Sequence, residues 1–543
     1  MDQFPNRPFL TKEFSLDGGG IDYLGLRWVN LKLLGENLLP EVNNQTEDIG
    51  TFFLGAWIPW KFTEICRKSP NLFTEENYLS FREGIEVVIA HAIRDHSPSE
   101  GKFGRVRTRI GVEKGFPSTV RLSFKSAGRS DNNTLYSAPL YGPSLQYLGL
   151  LAGYAESEKG TATSIHFTCD DEATTAIVGE VERAVAHSAY HQAVQSAAIT
   201  GLDSARADDL GLNGLNPAFF RQASSMAKKA FGKKLLPAGN CRTLTARLVV
   251  ETLRQLGPLN TNMLRAVWHT GMSPDGKSKV EPKDPITQTH RKIWSAFQSR
   301  QIQRYFMEAF LCCFERSVKE LKGGDFAENI DFLIKGITNT EPASMESTFS
   351  LIIAQEFDKA LGAKFEENIS AGKAWESTVH ASHASYDRFD YKGDGFDFKR
   401  ALTSMARWWI RLNASKDDDA VRAINEVGGT SRISATVLHD WITDRLEMPL
   451  SEFCSDLISG MVFSQHLRIA LSRMDGRAQR LRFTLGDKGI VATAKVTNFG
   501  TSSPPWMADR LDAFMSLLTD LDMVTSTGVG TFCLGQSADD YWV

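Results

Sequence analysis

The sequence predicts a mainly α-helical, multidomain chain with small β elements. Three observations predict it: a length of 543 residues, repeated apolar spacing of three and four residues, and a few short alternating runs set between glycines. At roughly 100–200 residues per domain, such a length exceeds one ordinary core. We read an α+β domain over 1–200, a helical middle region over 201–445 and a C-terminal domain over 446–543. Hydrophobic content of 42% and charged content of 23% are ordinary for a globular chain and exclude collagen-like, disordered or disulfide-scaffold classes.

The elements follow in order. Leu24 to Leu39 reads as a leucine-rich helix stopped by Pro40. Phe52 to Ile65 is aromatic and apolar, and Pro59 inside it predicts a buried helix that kinks or starts there. Tyr78 to Ile93 sets Phe81, Ile85, Val88, Ile89 and Ala92 on one helical face. Lys102 to Arg129 changes to glycine-punctuated alternation, the chemistry of strands and hairpins. Thr174 to Val194 is an alanine-rich helix, and Gly201, Gly211, Gly214 and Pro217 mark a boundary.

Ser299 to Leu321 carries the strongest helical pattern, from Ile302 through Phe306 and Phe310 to Val318, ended by Gly323-Gly324. Further helices are expected over Ser347–Ala360, Phe398–Leu412, Ala435–Leu446, Ser451–Val462 and Ser464–Met474. Leu481 to Leu485 alternates as a strand turning at Gly486-Asp487. Trp506 to Leu521 is amphipathic, and Gly528 and Gly530 precede the apolar Thr531–Leu534. A helix followed by a short glycine-turned hairpin is winged-helix-like; we expect such modules near 75–195 and 450–543.

No apolar run reaches the roughly 18 residues of a membrane span, and the N-terminus lacks a secretory pattern. The seven cysteines are scattered with no C-x-x-C pair, so buried thiols and a cytoplasmic address are expected, with no metal site and no cofactor.

Gly271-Met-Ser-Pro-Asp-Gly-Lys277-Ser278 fits the phosphate-cradling pattern G-x-x-x-x-G-K-[ST]. Its surroundings disagree, since Asn262 to Thr270 looks helical where a strand should lead in, and prolines follow. His187 and His191 lie four apart without the glutamate of a zinc protease. His380 and His383, followed by Asp387, Asp390, Asp394 and Asp397, miss the calcium-loop spacing.

Charge says more. The totals nearly cancel, 61 basic against 65 acidic side chains for a net of −4, yet cations cluster. Lys102 to Arg129 holds eight cations against Glu113, with Arg105, Arg107 and Arg109 on one face of a strand, then Arg121, Lys125 and Arg129. Lys228, Lys229, Lys233 and Lys234 form a second cluster, and Arg473, Arg477 and Arg480 a third. Local positive stripes on a slightly acidic chain are what phosphate-backbone binding requires. Solvated faces or acidic protein partners would use them too.

Asp22-Tyr-Leu-Gly-Leu-Arg27, Leu38-Leu-Pro-Glu-Val-Asn-Asn-Gln-Thr46 and the aromatic Phe52–Trp60 resemble the start of a group of uncharacterised bacterial proteins encoded beside phage-defence genes. Ser464-Gln-His-Leu-Arg468, Leu481-Arg-Phe483 and the leucine-rich terminal helix are similar to their C-terminal ends. The resemblance covers roughly the first 60 and last 100 residues and brings no catalytic residues with it. It implies a bacterial origin and a part in a multi-protein defence or DNA-handling system. The leading expectation is a non-catalytic subunit that binds DNA or scaffolds such a complex, meeting DNA and other subunits but no membrane. The alternative is an enzyme, either a divergent metal-dependent nuclease or a nucleotide hydrolase using Gly271–Ser278.

Overall fold

The computed structural model describes residues 22–96, 134–136, 140–156, 162–186, 194, 214–274, 278–338, 348–352, 396–415, 417–472, 481–487, 489–492, 508–528 and 530–541. Over these the chain is mainly helical with three short antiparallel hairpins: 151–156 with 162–168, 483–486 with 489–492, and 524–528 with 531–534. It groups into two compact units, each assembled from separated stretches. One comprises 1–16, 39–246 and 509–543, and the other 17–38 and 247–508. These units cross the boundaries expected at 200 and 446. Proximity in sequence does not decide which apolar faces bury one another.

The first unit is organised on the helix Ile49–Lys68, which is buried at almost every position from Ile49 to Ile58. Asp48 caps its start, accepting the Gly50 N–H at 3.3 Å and the Thr51 hydroxyl at 2.7 Å. Phe52 packs on Tyr141 and Phe231, and Phe53 on Phe220 and Phe231. Gly50 allows the closest approach: a β-carbon there would lie 2.1 Å from the Pro217 carbonyl oxygen. Pro59 neither starts nor ends this helix. Proline has no N–H, so the Gly55 carbonyl one turn earlier loses its helical donor. The Tyr136 hydroxyl donates to that carbonyl at 2.8 Å, and the Thr168 hydroxyl donates to the Ala56 carbonyl at 2.7 Å. Both donors come from outside the helix, which is how a proline is accommodated inside it.

Around it stand Glu75–His96, the hairpin 151–156/162–168, Glu172–Ala186 and Ser225–Leu235. The C-terminal helix Leu511–Asp520 and its hairpin complete the unit. The Trp57 indole and the Lys61 ammonium both bond Glu182, at 2.7 and 2.9 Å.

The second unit is built on Pro285–Glu320, a 36-residue helix about 54 Å long. It begins well before the expected Ser299, because Asp284 caps it by accepting from the Thr287 N–H and Pro285 occupies the first turn. Phe306 meets Trp408, Phe310 meets Phe398, and Phe314 meets Phe483 and Phe463. The helix is buried on more than its apolar stripe, so its polar residues need partners in the interior. Arg304 bonds Glu308 at 2.8 Å, Gln301 accepts from Asn30 at 3.1 Å, and Gln303 donates to the Ile433 carbonyl at 2.9 Å. Glu315 forms a two-pronged ion pair with Arg482, and both side chains are essentially inaccessible. His466 lies beside that pair. Burial pushes its imidazole down to about 4, so it is neutral at physiological pH.

The expected helices Ser451–Val462 and Ser464–Met474 are one helical run from Leu450 to Ser472. A wide turn at Leu457–Phe463 joins them without a break. Most of Ser347–Ala360 and all of Lys102–Arg129 lie outside the described residues. Among the described residues no helix is long and apolar enough to cross a membrane.

The Tyr136 bond to the proline gap gives a direct test. Tyr136→Phe keeps the ring and leaves the Gly55 carbonyl without this donor. Urea denaturation should show a loss of about 1–3 kcal/mol, whereas an unchanged midpoint would remove Tyr136 from this role.

Candidate functional site

Four of the expected phosphate-binding cations lie on the helix Ser225–Leu235, capped by Ser224. Its charges are largely occupied. Lys228 is buried and bonds Asp522 at 2.7 Å, just past the C-terminal helix. Lys229 faces Asp540 at 3.7 Å. Lys234 donates to Asp171 at 2.8 Å and to the Gly149 carbonyl at 2.7 Å. Partial burial opposes the charge on Asp171, but Lys234 and the N–H and hydroxyl of Thr174 hold its carboxyl below the ordinary range. Lys233 points to solvent. Three of the four lysines therefore meet aspartates of their own unit.

The C-terminal segment supplies two of those aspartates. Residues 509–543 contain six Asp and one basic residue, Arg510. Arg510 is half-buried and donates to the Leu39 carbonyl at 2.9 Å. The hairpin Val524–Leu534 carries no charged residue, and Thr525 to Gly528 are exposed. The hairpin therefore presents polar, uncharged groups, and Asp522 and Asp540 of this segment face the lysine helix; neither part offers a cation to a phosphate backbone.

Arg105, Arg107, Arg109, Arg121, Lys125, Arg129, Arg473, Arg477 and Arg480 lie outside the described residues, as do His187, His191, His380 and His383. The Gly271–Ser278 loop is described at its two ends. The helix Thr261–Thr270 leads into it, and Gly271, at φ 72°, ends that helix in the left-handed conformation. Met272 pairs with Lys279 in an antiparallel bridge, and the Val280 N–H returns to the Gly271 carbonyl at 2.8 Å. The next helix starts only at Pro285. A phosphate cradle needs a strand before the glycines and a helix opening at the lysine. Here, among the described residues, the segment joins two helices, and the helix Thr261–Thr270 stands where a strand should lead in.

One polar cluster was missed by sequence reasoning. Tyr78, Arg82 and Glu86 lie four apart on Glu75–His96 and all face inward, beside the apolar stripe of the same helix. The Tyr78 hydroxyl is 3.1 Å from His166 Nδ1. Tyr136 stacks on that imidazole at 4.5 Å, and burial holds the Tyr136 hydroxyl well above its usual pKa. The Arg82 guanidinium lies over the Tyr78 and Tyr136 rings, 3.7 Å from Glu86, which accepts from the Thr134 hydroxyl at 2.7 Å. Tyr, His, Arg and Glu in one place can hold and move protons. Their burial makes them an interior network that orders the helix against the hairpin 151–156/162–168. The available signal was polar residues recurring at a core spacing.

Among the described residues no group of three or more His, Cys, Asp or Glu is placed to hold a metal ion. The cysteines there are free thiols: Cys66, Cys312, Cys313 and Cys454 are buried, and the others partly so. Comparison with protein families, characterised proteins and solved structures finds no match to this chain.

The ion pairs predict unequal lysines. Lys234→Met should cost about 1 kcal/mol in chemical denaturation, since it leaves Asp171 without its cation. Lys233→Ala should stay within about 0.5 kcal/mol of the parent. Equal effects would contradict the pairing.

Proposed function

We propose that this chain is a non-catalytic subunit that helps assemble a bacterial multi-protein complex of the anti-phage or DNA-handling kind, with its C-terminal helix and hairpin as a winged-helix-like docking module. The observation that carries this reading is the charge of that module. A wing that grips duplex DNA needs cations, whereas this hairpin is uncharged and the surrounding segment is acidic. Winged helices also serve as protein-docking units, so the fold type does not choose between the roles. The cytoplasm is the compartment that suits such a partner.

Direct DNA contact is the second reading. It rests on the cation-rich Lys102–Arg129 and on Arg473, Arg477 and Arg480, rather than on the lysine helix. A gel shift with random-sequence duplex DNA at about 50 and 200 mM salt separates the two. If DNA is bound at low salt, replacing Lys228, Lys229, Lys233 and Lys234 with alanine should barely change the affinity. Replacing Arg105, Arg107 and Arg109 should weaken it and flatten its salt dependence. No Mg²⁺-dependent cleavage should accompany binding. Loss of binding confined to the lysine variant, or cleavage abolished by one acidic substitution, would overturn the proposal.

A further inference from the structure

We infer that Asp48 and Asp520 form a proton-sharing clasp, which fastens the C-terminal helix Leu511–Asp520 to the start of Ile49–Lys68 and loosens when the shared proton leaves. The inference stands apart from the proposed function, because it concerns only how the first unit holds its own terminus.

The geometry supplies the argument. Asp48 is buried at the helix start, and its two oxygens accept from the Gly50 N–H and the Thr51 hydroxyl. Asp520, its side chain 10% exposed, reaches the same helix end, where Oδ2 accepts the Ile49 N–H at 3.1 Å. Two carboxyl groups therefore converge on the first N–H groups of one helix. Those N–H groups and the helix dipole favour one negative charge there. A second charge in the same dry place meets both desolvation and repulsion.

Two cations, Arg221 and Lys228, stand near the pair. From Pro217–Gln222, Arg221 Nε lies 4.0 Å from Asp520 Oδ1, the long limit of an ion pair. From the lysine helix, Lys228 is held at 2.7 Å by Asp522. Glu47 adds negative charge beside Tyr141, which burial keeps neutral. One carboxyl group is thus best occupied as the acid, which can donate as well as accept. Burial first and the Asp48 charge second push Asp520 up to about 7, and burial raises Asp48 as well.

The sign follows from linkage. A carboxyl whose pKa is higher folded than unfolded binds more protons in the folded state between the two values. Its stabilising effect is full below the unfolded pKa of about 4 and is lost as pH rises towards 7. The proton passes to solvent, and the clasp is left with two like charges.

Hydrogen exchange of the full chain, corrected for intrinsic rates, tests this at pH 5.5 and 8. Protection of residues 511–534 should fall as pH rises, by up to about tenfold per pH unit within the window. Asp520→Asn should keep its protection at pH 8, since the amide oxygen can still accept from Ile49 without charge. Asp48→Asn should flatten the profile too, because asparagine caps helices as well as aspartate; it also serves if the first variant folds poorly. Asp540→Asn, a control on an exposed carboxylate, should retain the parental profile. Protection independent of pH in the parent, or parental pH dependence in both Asp48→Asn and Asp520→Asn, would overturn the clasp.

Discussion

Lys228 and Asp522 meet at 2.7 Å, and that contact organises the electrostatics of the first unit. A buried ammonium needs an anion or several acceptors close by, and this lysine finds its anion in a segment nearly 300 positions later. Lys229 and Asp540 repeat the arrangement nearer solvent, and Lys234 and Asp171 repeat it at the start of Glu172–Ala186. A helix that looks like a cationic stripe in sequence is thus complementary to an acidic terminus of the same unit. Lys228 and Lys234 are engaged inside the unit, while Lys229 and Lys233 remain exposed.

The second unit obeys the same rule with ion pairs that are buried at both members. Its long helix is buried too widely to keep polar residues on an outer face, so Arg304 takes Glu308 and Glu315 takes Arg482. Removing one partner of such a pair leaves an uncompensated charge in a dry interior, which costs far more than the pair itself contributes. Its framework therefore depends on matched charge as well as on the aromatic contacts of Phe306, Phe310 and Phe314.

Much of the fold was legible. The mainly helical class, the helices near Phe52, Tyr78, Ser299 and Phe398 and the hairpin after the terminal helix all follow from apolar period and glycine position. Pro59 does not start its helix, and the donor that fills its gap, Tyr136, is one that no local pattern connects to Gly55. The helices Ser225–Leu235 and Cys241–Leu256 hid in a stretch that reads only as small and basic. Unit membership was not legible either, since it depends on which apolar faces meet after distant segments return.

The site was less legible than the fold. Residue type and spacing located the lysines but could not tell that their carboxylate partners lay at 171, 522 and 540. The Tyr78, Arg82 and Glu86 ladder was visible as spacing, yet without His166 and Tyr136 beside it nothing marked it as a network.

A double-mutant cycle on Lys228→Met and Asp522→Asn measures the central contact without reference to any partner molecule. A coupling of about 0.5–1 kcal/mol is expected for a pair with one buried and one half-exposed member. If the two substitutions add to within about 0.3 kcal/mol, the lysine helix is not neutralised from within, and its cations return to the list of surfaces open to phosphate.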